Sequence, residues 1–202
     1  MLRKQLWPAI ALTIVLMVIT GGIYPGIVTV LAQVLFPHQA NGSLITTANG
    51  QVAGSALIGQ SFSRPEYFHP RPSAAGNGYD DTASSGTNKG PTDLKLADTL
   101  IAQAIDSAVA QDGAVRGAIP SDMVTSSASG LDPDISPANA AQQIARVARA
   151  RGASVDAIRT LVERHTTGRQ FGFFGEPRVN VLLLNLAVDS SFSRPTAATV
   201  SK

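Results

Sequence analysis

The chain has 202 residues, enough for one ordinary domain with accessory segments. It contains no cysteine, which excludes disulfides, thiolate metal sites and cysteine nucleophiles. The net charge is +2, but ten carboxylates lie between Glu66 and Asp134, whereas nine of the 16 Lys and Arg residues lie after Ser136. This distribution predicts an electrostatically two-sided domain and argues against nucleic-acid binding.

The amino-terminal segment is predicted to be a membrane anchor, residues 6–36. Arg3 and Lys4 precede an uncharged run from Leu6 to Phe36. A helix needs about 20 apolar residues to cross the bilayer core, and this run exceeds that length. The alternative is a cleaved signal peptide, whose apolar core is shorter than this run. We therefore expect a retained transmembrane helix.

Four residues of this anchor are candidates for helix packing. The glycines Gly21 and Gly22 permit close approach of a neighbouring helix, and together with Pro25 they predict a kink. Trp7 lies near the start of the apolar run, where aromatic residues mark a membrane interface.

The charges that flank the anchor predict its orientation. Two cations precede the apolar run, and residues 37–63 contain no Lys or Arg. The positive-inside rule then places residues 1–5 in the cytoplasm and residues 37–189 outside it. This makes the chain a single-pass protein of the inner membrane, with residues 190–202 expected to form a flexible tail.

The first half of the extracytoplasmic part contains a predicted hairpin, a long loop and a helix. Residues 43–59 are predicted to form the hairpin, with Asn49-Gly50 as a type I′ turn. Residues 60–91 are rich in Pro, Gly, Ser and Asn, which predicts a loop outside the core. A helix over residues 92–112 follows, and residues 123–125 are expected to form a short strand.

The second half contains two predicted helices and one strand. Ser136 and Pro137 have the N-cap and N1 chemistry of a helix that ends before Gly152. Ser154 begins a second helix. The apolar run VNVLLLNLAVD, residues 179–189, favours a central strand buried on both faces. The fold class is therefore α/β, a single amino-terminal transmembrane helix followed by one small mixed α/β domain.

Three features of the sequence resemble catalytic or ligand-binding sites, and each has a simpler structural explanation. GSALIGQS, residues 54–61, has the glycine spacing of a phosphate-binding loop, but Gln60 replaces the lysine, which favours a glycine turn. The histidines His38, His69 and His165 are isolated in sequence, which argues against a metal site. The serine-rich segments lack G-x-S-x-G and S-x-x-K motifs, so turn chemistry explains them better.

Two sets of charged residues allow more than one interpretation. Asp132 and Asp134 have the chemistry to hold a cation, but they also complement the positive end of the following helix. The arginines after Pro137 fit either phosphate binding or a protein-binding surface; they are Arg146, Arg149, Arg151, Arg159 and Arg164. The sequence SFSRP occurs at residues 61–65 and 191–195, without a physical explanation at this level.

Several segments, in this order, resemble the KdpC family, the small subunit of the bacterial potassium-transporting P-type ATPase. They follow a single anchor and extend to Asp189. The segments are GSALIGQSFSRPEYFHPRPSA, SSGTNKGP, DMVTSSASGLDPDISPANAAQQIARVARARG and GEPRVNVLLLNLAVD.

The resemblance implies a non-catalytic subunit with no cofactor of its own. Its implied partners are a channel-like potassium subunit, a P-type subunit that hydrolyses ATP, a very small hydrophobic subunit and membrane lipid. The family is regarded as a catalytic chaperone that raises the ATP affinity of the pump. The P-type motif D-K-T-G is absent from this chain. The alternative is a stand-alone, membrane-anchored periplasmic enzyme or solute-binding protein.

Within this resemblance, two polar segments are the predicted docking surfaces. They are the Pro- and Gly-rich residues 65–91 and the residues 130–137 before the helix. The candidate docking residues in and near them are His69, Arg71, Ser85, Asn88, Asp132, Asp134, Arg146 and Arg149.

Overall fold

The computed structural model describes residues 2–47 and 49–193. The chain divides between Ser55 and Ala56 into two compact units. The first contains the predicted anchor and the hairpin, and the second contains the remaining helices and strands.

The first unit begins with a long apolar helix in two parts. Helix α1, Leu2–Val18, continues through a π-helical segment, Ile19–Ile23, into α2, Tyr24–Leu35. In the part of the chain that the structure describes, Arg3–Leu35 is the one helix long and apolar enough to cross a membrane, judged by length and composition. The interruption predicted at Gly21 and Gly22 takes the form of this π-helical segment, and Pro25 lies in the first turn of α2.

A short helix and a hairpin complete this unit. Helix α3 is Pro37–Ala40, and strands β1, Leu44–Thr46, and β2, Val52–Ser55, pair antiparallel. The predicted hairpin is confirmed, but its type I′ turn is wrong. The Thr47 N–H donates to Gln51 O at 2.8 Å and the Gly50 N–H donates to Thr47 O at 2.9 Å, which closes a three-residue loop. Gly50 has φ +77°, the left-handed conformation that ends such loops.

The second unit is a mixed helix and sheet structure, which confirms that part of the predicted fold class. Its three strands form an antiparallel sheet in the order β3-β5-β4. The elements after a π-helical segment, Lys95–Ile101, are α4 (Ala102–Asp112), α5 (Ser121–Val124), β3 (Asp134–Ile135), α6 (Pro137–Arg151), α7 (Val155–Arg164), β4 (Thr166–Thr167), β5 (Arg178–Asn180) and α8 (Val181–Ser191).

The hydrophobic core lies where α6, α7 and α8 meet strand β5. Val147, Ile158 and Leu184 are fully buried, one on each helix, and Val179 of β5 is equally buried. Phe62 and Phe192 pack against the same cluster from the two SFSRP segments. Both copies of that short sequence therefore place a phenylalanine on one core.

Helix capping follows the sequence closely. The Asn139 N–H donates to Ser136 Oγ at 3.0 Å, and the Ala157 N–H donates to Ser154 Oγ at 3.2 Å. Gly152 ends α6 with φ +61°. These contacts confirm the predicted starts of α6 and α7 and the end of α6.

The apolar run 179–189 was predicted to be a strand, and this is wrong. Only its start belongs to β5; from Val181 onward it is α8. Asn180 caps this helix by accepting a hydrogen bond from the Leu183 N–H at 3.1 Å. Leucines favour a helix once such a cap is present. The helix extends to Ser191, two residues into the predicted tail, and residues 194–202 lie outside the described residues.

Two further predictions need correction. Residues 123–125 do not form a strand, because the Thr125 N–H donates to Ser121 O at 2.9 Å and closes the helical turn α5. The long loop is present, since no helix or strand lies between β2 and residue 94. It is part of the core, however, because Tyr67, Phe68 and Ala75 are buried.

Candidate functional site

The segment from Arg64 to His69 is held by side chains from α6 and α8, and its middle residues, 66–68, are buried. The Phe68 N–H donates to Asn185 Oδ1 at 2.8 Å, and Asn185 Nδ2 donates to Phe68 O at 2.9 Å. Gln143 binds His69 in the same way, with distances of 2.7 Å and 3.0 Å. The side-chain amides of Gln143 and Asn185 therefore satisfy the backbone N–H and C=O groups of a segment that is not part of a sheet. We call residues 64–69 the clamped segment.

Arg146 holds the same segment through Nη1, and its other two guanidinium nitrogens bind side chains outside the segment. Nη1 donates to Pro65 O at 2.6 Å and Tyr67 O at 2.8 Å, and Nη2 donates to Gln143 Oε1 at 2.7 Å. Nε donates to Asp112 Oδ1 at 2.6 Å. The side chains of Arg146 and Asp112 are only 8% and 4% exposed. This buried ion pair joins α4, α6 and the clamped segment.

A second buried arginine, Arg151, is the last residue of α6. Arg151 Nε donates to Glu66 O at 3.0 Å, and its Nη2 donates to Asp189 Oδ1 at 2.7 Å. The Tyr67 hydroxyl donates to the other oxygen of Asp189 at 3.0 Å. The Arg151 guanidinium also lies 4.8 Å from the centre of the Tyr67 ring, a cation–π distance. Arg151 therefore connects α6, α8 and the clamped segment.

A polar ladder follows one face of α6. Asp122 accepts hydrogen bonds from the Ser136 N–H, the Ser136 hydroxyl and Asn139 Nδ2, at 2.7, 2.9 and 3.1 Å. Gln143 Nε2 then donates to Asn139 Oδ1 at 2.8 Å, and Gln143 Oε1 accepts from Arg146. Helical spacing aligns these residues because positions three and four apart share a face. The ladder places hydrogen-bonding side chains in the interior with their partners supplied.

The two predicted docking segments contact each other. Ser73 Oγ donates to Gly130 O at 2.6 Å. The Ser85 N–H donates to the O atom of Ser129, the residue just before the second segment, at 2.9 Å. Arg71 Nη1 lies 2.8 Å from Asp132 Oδ2. Contacts within the chain thus use much of the polar surface that the sequence suggested for a partner.

Asp132 and Asp134 are neutralised by arginines. Asp132 pairs with Arg71, and Asp134 pairs with Arg178 at 3.1 Å. Burial raises the pKa of Asp134 above its usual range, while the Arg178 charge opposes this effect. Among the described residues there is no group of three or more His, Asp or Glu side chains that fits a metal ion.

The GSALIGQS segment has the structure of a glycine turn. Strand β2 ends at Ser55, and the Gly59 N–H donates to Leu131 O at 2.8 Å. No helix follows within the next thirty residues, so the segment lacks the helix amino terminus that a phosphate-binding loop requires.

The candidate docking residues differ widely in accessibility. Arg146 is buried, so its assignment to a docking surface is corrected: the residue belongs to the interior. Asn88 and Arg149 are exposed, whereas Ser85 is partly buried. Sequence reasoning missed Gln143 and Asn185. No signal in one sequence identifies a buried amide whose partners lie more than seventy residues away.

His69 lies at a cleft of about 420 Å³ between the long loop and α4. Its Nε2 is 3.1 Å from Arg64 O, so the neutral ring with its proton on Nε2 fits this contact. Burial lowers the pKa of His69 below its ordinary value of 6.5, and the nearby Arg146 charge lowers it further.

We expect the stability of the second unit to fall as the pH drops below 6.5. The unfolded chain takes up a proton at His69 near that pH, whereas the folded chain resists protonation, so acid favours unfolding. Well above pH 6.5 His69 is neutral in both states and contributes no pH dependence. Urea denaturation from pH 7.5 to about 5.5 measures the effect. His69→Gln should flatten this part of the profile; an unchanged slope would contradict the assignment.

The structure defines the class of protein. It has an apolar amino-terminal helix and a mixed helix and sheet domain. The buried charged side chains of the domain form ion pairs within the domain and hydrogen bonds with its own loop segments. The sequence matches the model of the family KdpC, described as K+-transporting ATPase, c chain, over residues 6–190. The chain therefore belongs to the KdpC family.

Curated relatives resemble the chain over nearly its whole length. The potassium-transporting ATPase KdpC subunit of Gemmatimonas aurantiaca is 59% identical over 201 residues, 98% of this chain and 100% of the relative. The KdpC subunit of Koribacter versatilis is 53% identical, with 96% and 99% covered. That of Myxococcus xanthus is 54% identical, with 91% and 87% covered.

Proposed function

We propose that this chain is a non-catalytic accessory subunit of a high-affinity, ATP-driven potassium uptake complex. The observation that carries the proposal is the family match over residues 6–190, together with relatives named as KdpC subunits that match end to end. The role we assign is stabilisation of the assembled pump.

Most acidic side chains between Glu66 and Asp134 are engaged in contacts within the chain, which supports a role without catalysis. Of the ten carboxylates between Glu66 and Asp134, six form ion pairs within the described residues. These six are Glu66, Asp93, Asp106, Asp112, Asp132 and Asp134. A seventh, Asp122, accepts hydrogen bonds from Ser136, the N-cap residue of α6. If acidic side chains also raised the local concentration of potassium ions, that effect would depend on the remaining carboxylates, Asp80, Asp81 and Asp98.

The proposed orientation excludes direct contact with cytoplasmic ATP. Arg3 and Lys4 precede the apolar helix, which favours a cytoplasmic amino terminus and an extracytoplasmic second unit in a single-pass inner-membrane protein. An increase in the ATP affinity of the pump subunit, the chaperone role, would then act through partner subunits. For this coupling, the chain must bind more tightly to the conformation of the pump that has the higher affinity for ATP.

The proposed partners are a channel-like potassium subunit, a P-type ATPase subunit and a very small hydrophobic subunit. Gly21 and Gly22 leave open space beside the apolar helix, where a neighbouring helix would approach closely. Asn88 and Arg149 remain candidate docking residues because both are exposed.

Purification of the tagged chain in mild detergent tests this proposal. We expect the potassium-transport subunits to co-purify with it and the complex lacking the chain to have a higher KM for ATP. A variant chain in which Gly21 and Gly22 are both replaced by Leu should recover less of the partners, because the larger side chains keep a neighbouring helix at a distance. A monodisperse monomer with hydrolase activity would instead support the stand-alone alternative.

A further inference from the structure

The loop between β4 and β5 carries three exposed phenylalanines. Phe171, Phe173 and Phe174 are 88%, 65% and 58% exposed. The Phe173 and Phe174 rings lie 4.2 Å apart between centroids. We call these three residues the aromatic tip. The hydrophobic core of the second unit does not include them.

Backbone hydrogen bonds give the aromatic tip a defined conformation. Gln170 and Phe174 exchange two N–H···O bonds of 2.9 Å, which close a loop of three residues. Below them, Arg169 Nη2 donates to Glu176 Oε2 at 2.6 Å. A loop that is ordered before binding loses less conformational entropy when a partner docks.

Phe171 has an unusual backbone conformation. Its φ of +53° lies in the left-handed region, which is sterically unfavourable for a bulky residue. The exposed ring recovers none of this cost by burial within the unit. Strain of this kind at an exposed position points to a use outside the fold.

The chemistry around the tip favours a protein over a lipid surface. Residues 170–175 carry no charge, and the Arg169–Glu176 pair lies at their base, which gives an aromatic centre with a polar rim. Binding to anionic lipid needs an excess of basic residues. The nearby charges cancel instead: Arg164, Arg169 and Arg178 against Asp134, Glu163 and Glu176.

We propose that the aromatic tip inserts into an apolar pocket on another subunit of the potassium-transport complex. The inference rests on the proposed function, because it requires such a complex. A fully buried phenylalanine covers roughly 150–250 Å². The exposed fractions of the three side chains add up to about two full rings, so the tip offers on the order of 400 Å². This is about half of what one partner contributes to a standard interface of about 800 Å² per side.

The double variant Phe171→Asn with Phe173→Ser tests the proposal in the intact complex. Asn tolerates the left-handed backbone of position 171, so the hairpin keeps its shape while losing both rings. We expect recovery of the transport subunits to fall roughly tenfold. The control Val115→Asn removes a side chain of similar exposure, 69%, elsewhere on the unit and should leave recovery unchanged.

The thermal midpoint of each variant chain shows whether folding is preserved, and normal recovery with the double variant would overturn the proposal. If the wild-type chain itself recovers no subunits, the proposed function fails first. A photoreactive benzoylphenylalanine at position 173 supplies a second measurement that does not depend on variant folding. A covalent adduct with a transport subunit supports the proposal. An adduct with lipid alone, or none, contradicts it.

Discussion

Arg146→Ala should destabilise the second unit by about 3–5 kcal/mol, because it leaves a buried carboxylate without its partner. The Asp112 side chain is 4% exposed and its ion pair with Arg146 is 2.6 Å long. The variant also removes donors from the carbonyls of Pro65 and Tyr67. A loss of this size is a large fraction of the 5–15 kcal/mol that holds a typical domain together. Urea denaturation of the full chain in mild detergent measures it.

Arg149→Ala is the matched control for this experiment. It removes the same side chain one turn further along α6, where Arg149 is exposed. Surface substitutions of this kind change stability by about 0.5 kcal/mol or less. The double variant Arg146→Ala with Asp112→Ala should be less destabilised than the sum of its single variants. Equal effects of the two arginine variants would show that the buried pair does not hold the clamped segment.

Gly130→Ala should cost about 3 kcal/mol or more, because two effects act at one position. Gly130 has φ +69°, which costs alanine about 1–2 kcal/mol. A Cβ atom there would also lie 2.5 Å from Ser85 O and 2.7 Å from the Ala75 nitrogen. Both are backbone atoms of the long loop, so relief requires the two segments to separate, at a further cost of about 1–3 kcal/mol.

Gly113→Ala separates the two contributions. Gly113 has the same φ of +69°, but no atom lies within 4 Å of the position its Cβ would occupy. Its substitution should therefore show the conformational cost alone, about 1–2 kcal/mol. Thermal unfolding of the two variants gives the difference that we assign to the crowded contact. Similar midpoints would mean that residues 130 and 85 are not tightly packed.

Local signals in the sequence were sufficient for both ends of α6 and for the start of α7. Ser136, Pro137 and Gly152 define α6 because capping and left-handed termination depend on residues within one turn. The apolar run after Val179 shows where local reasoning fails. A short apolar run does not distinguish a buried strand from a buried helix. The Asn180 cap and the leucines that follow it were the available signal for α8.

The role of the long loop was the least predictable feature. Its Pro, Gly and Ser content indicates a loop, and the structure confirms this. Its burial depends on Gln143, Arg146 and Asn185, which supply hydrogen bonds to the backbone of residues 65–69. Composition carries no information about contacts between residues so distant in sequence. A segment that resembles a flexible docking loop is for that reason part of the interior.

The two-sided charge pattern is also partly neutralised by folding. Arg146 and Arg178 come from the basic half of the sequence and pair with Asp112 and Asp134 from the acidic half. Charge segregation along the sequence therefore overstates the segregation in space.

The location of the second unit outside the cytoplasm is the central claim, and single-cysteine labelling tests it most directly. The chain has no cysteine, so Ala110→Cys on exposed α4 introduces the only thiol. Gln5→Cys, before the apolar run, is the matched control. In spheroplasts, a membrane-impermeant maleimide should label position 110 at once and position 5 only after lysis. Labelling of position 5 in intact spheroplasts, with position 110 protected until lysis, would contradict the account.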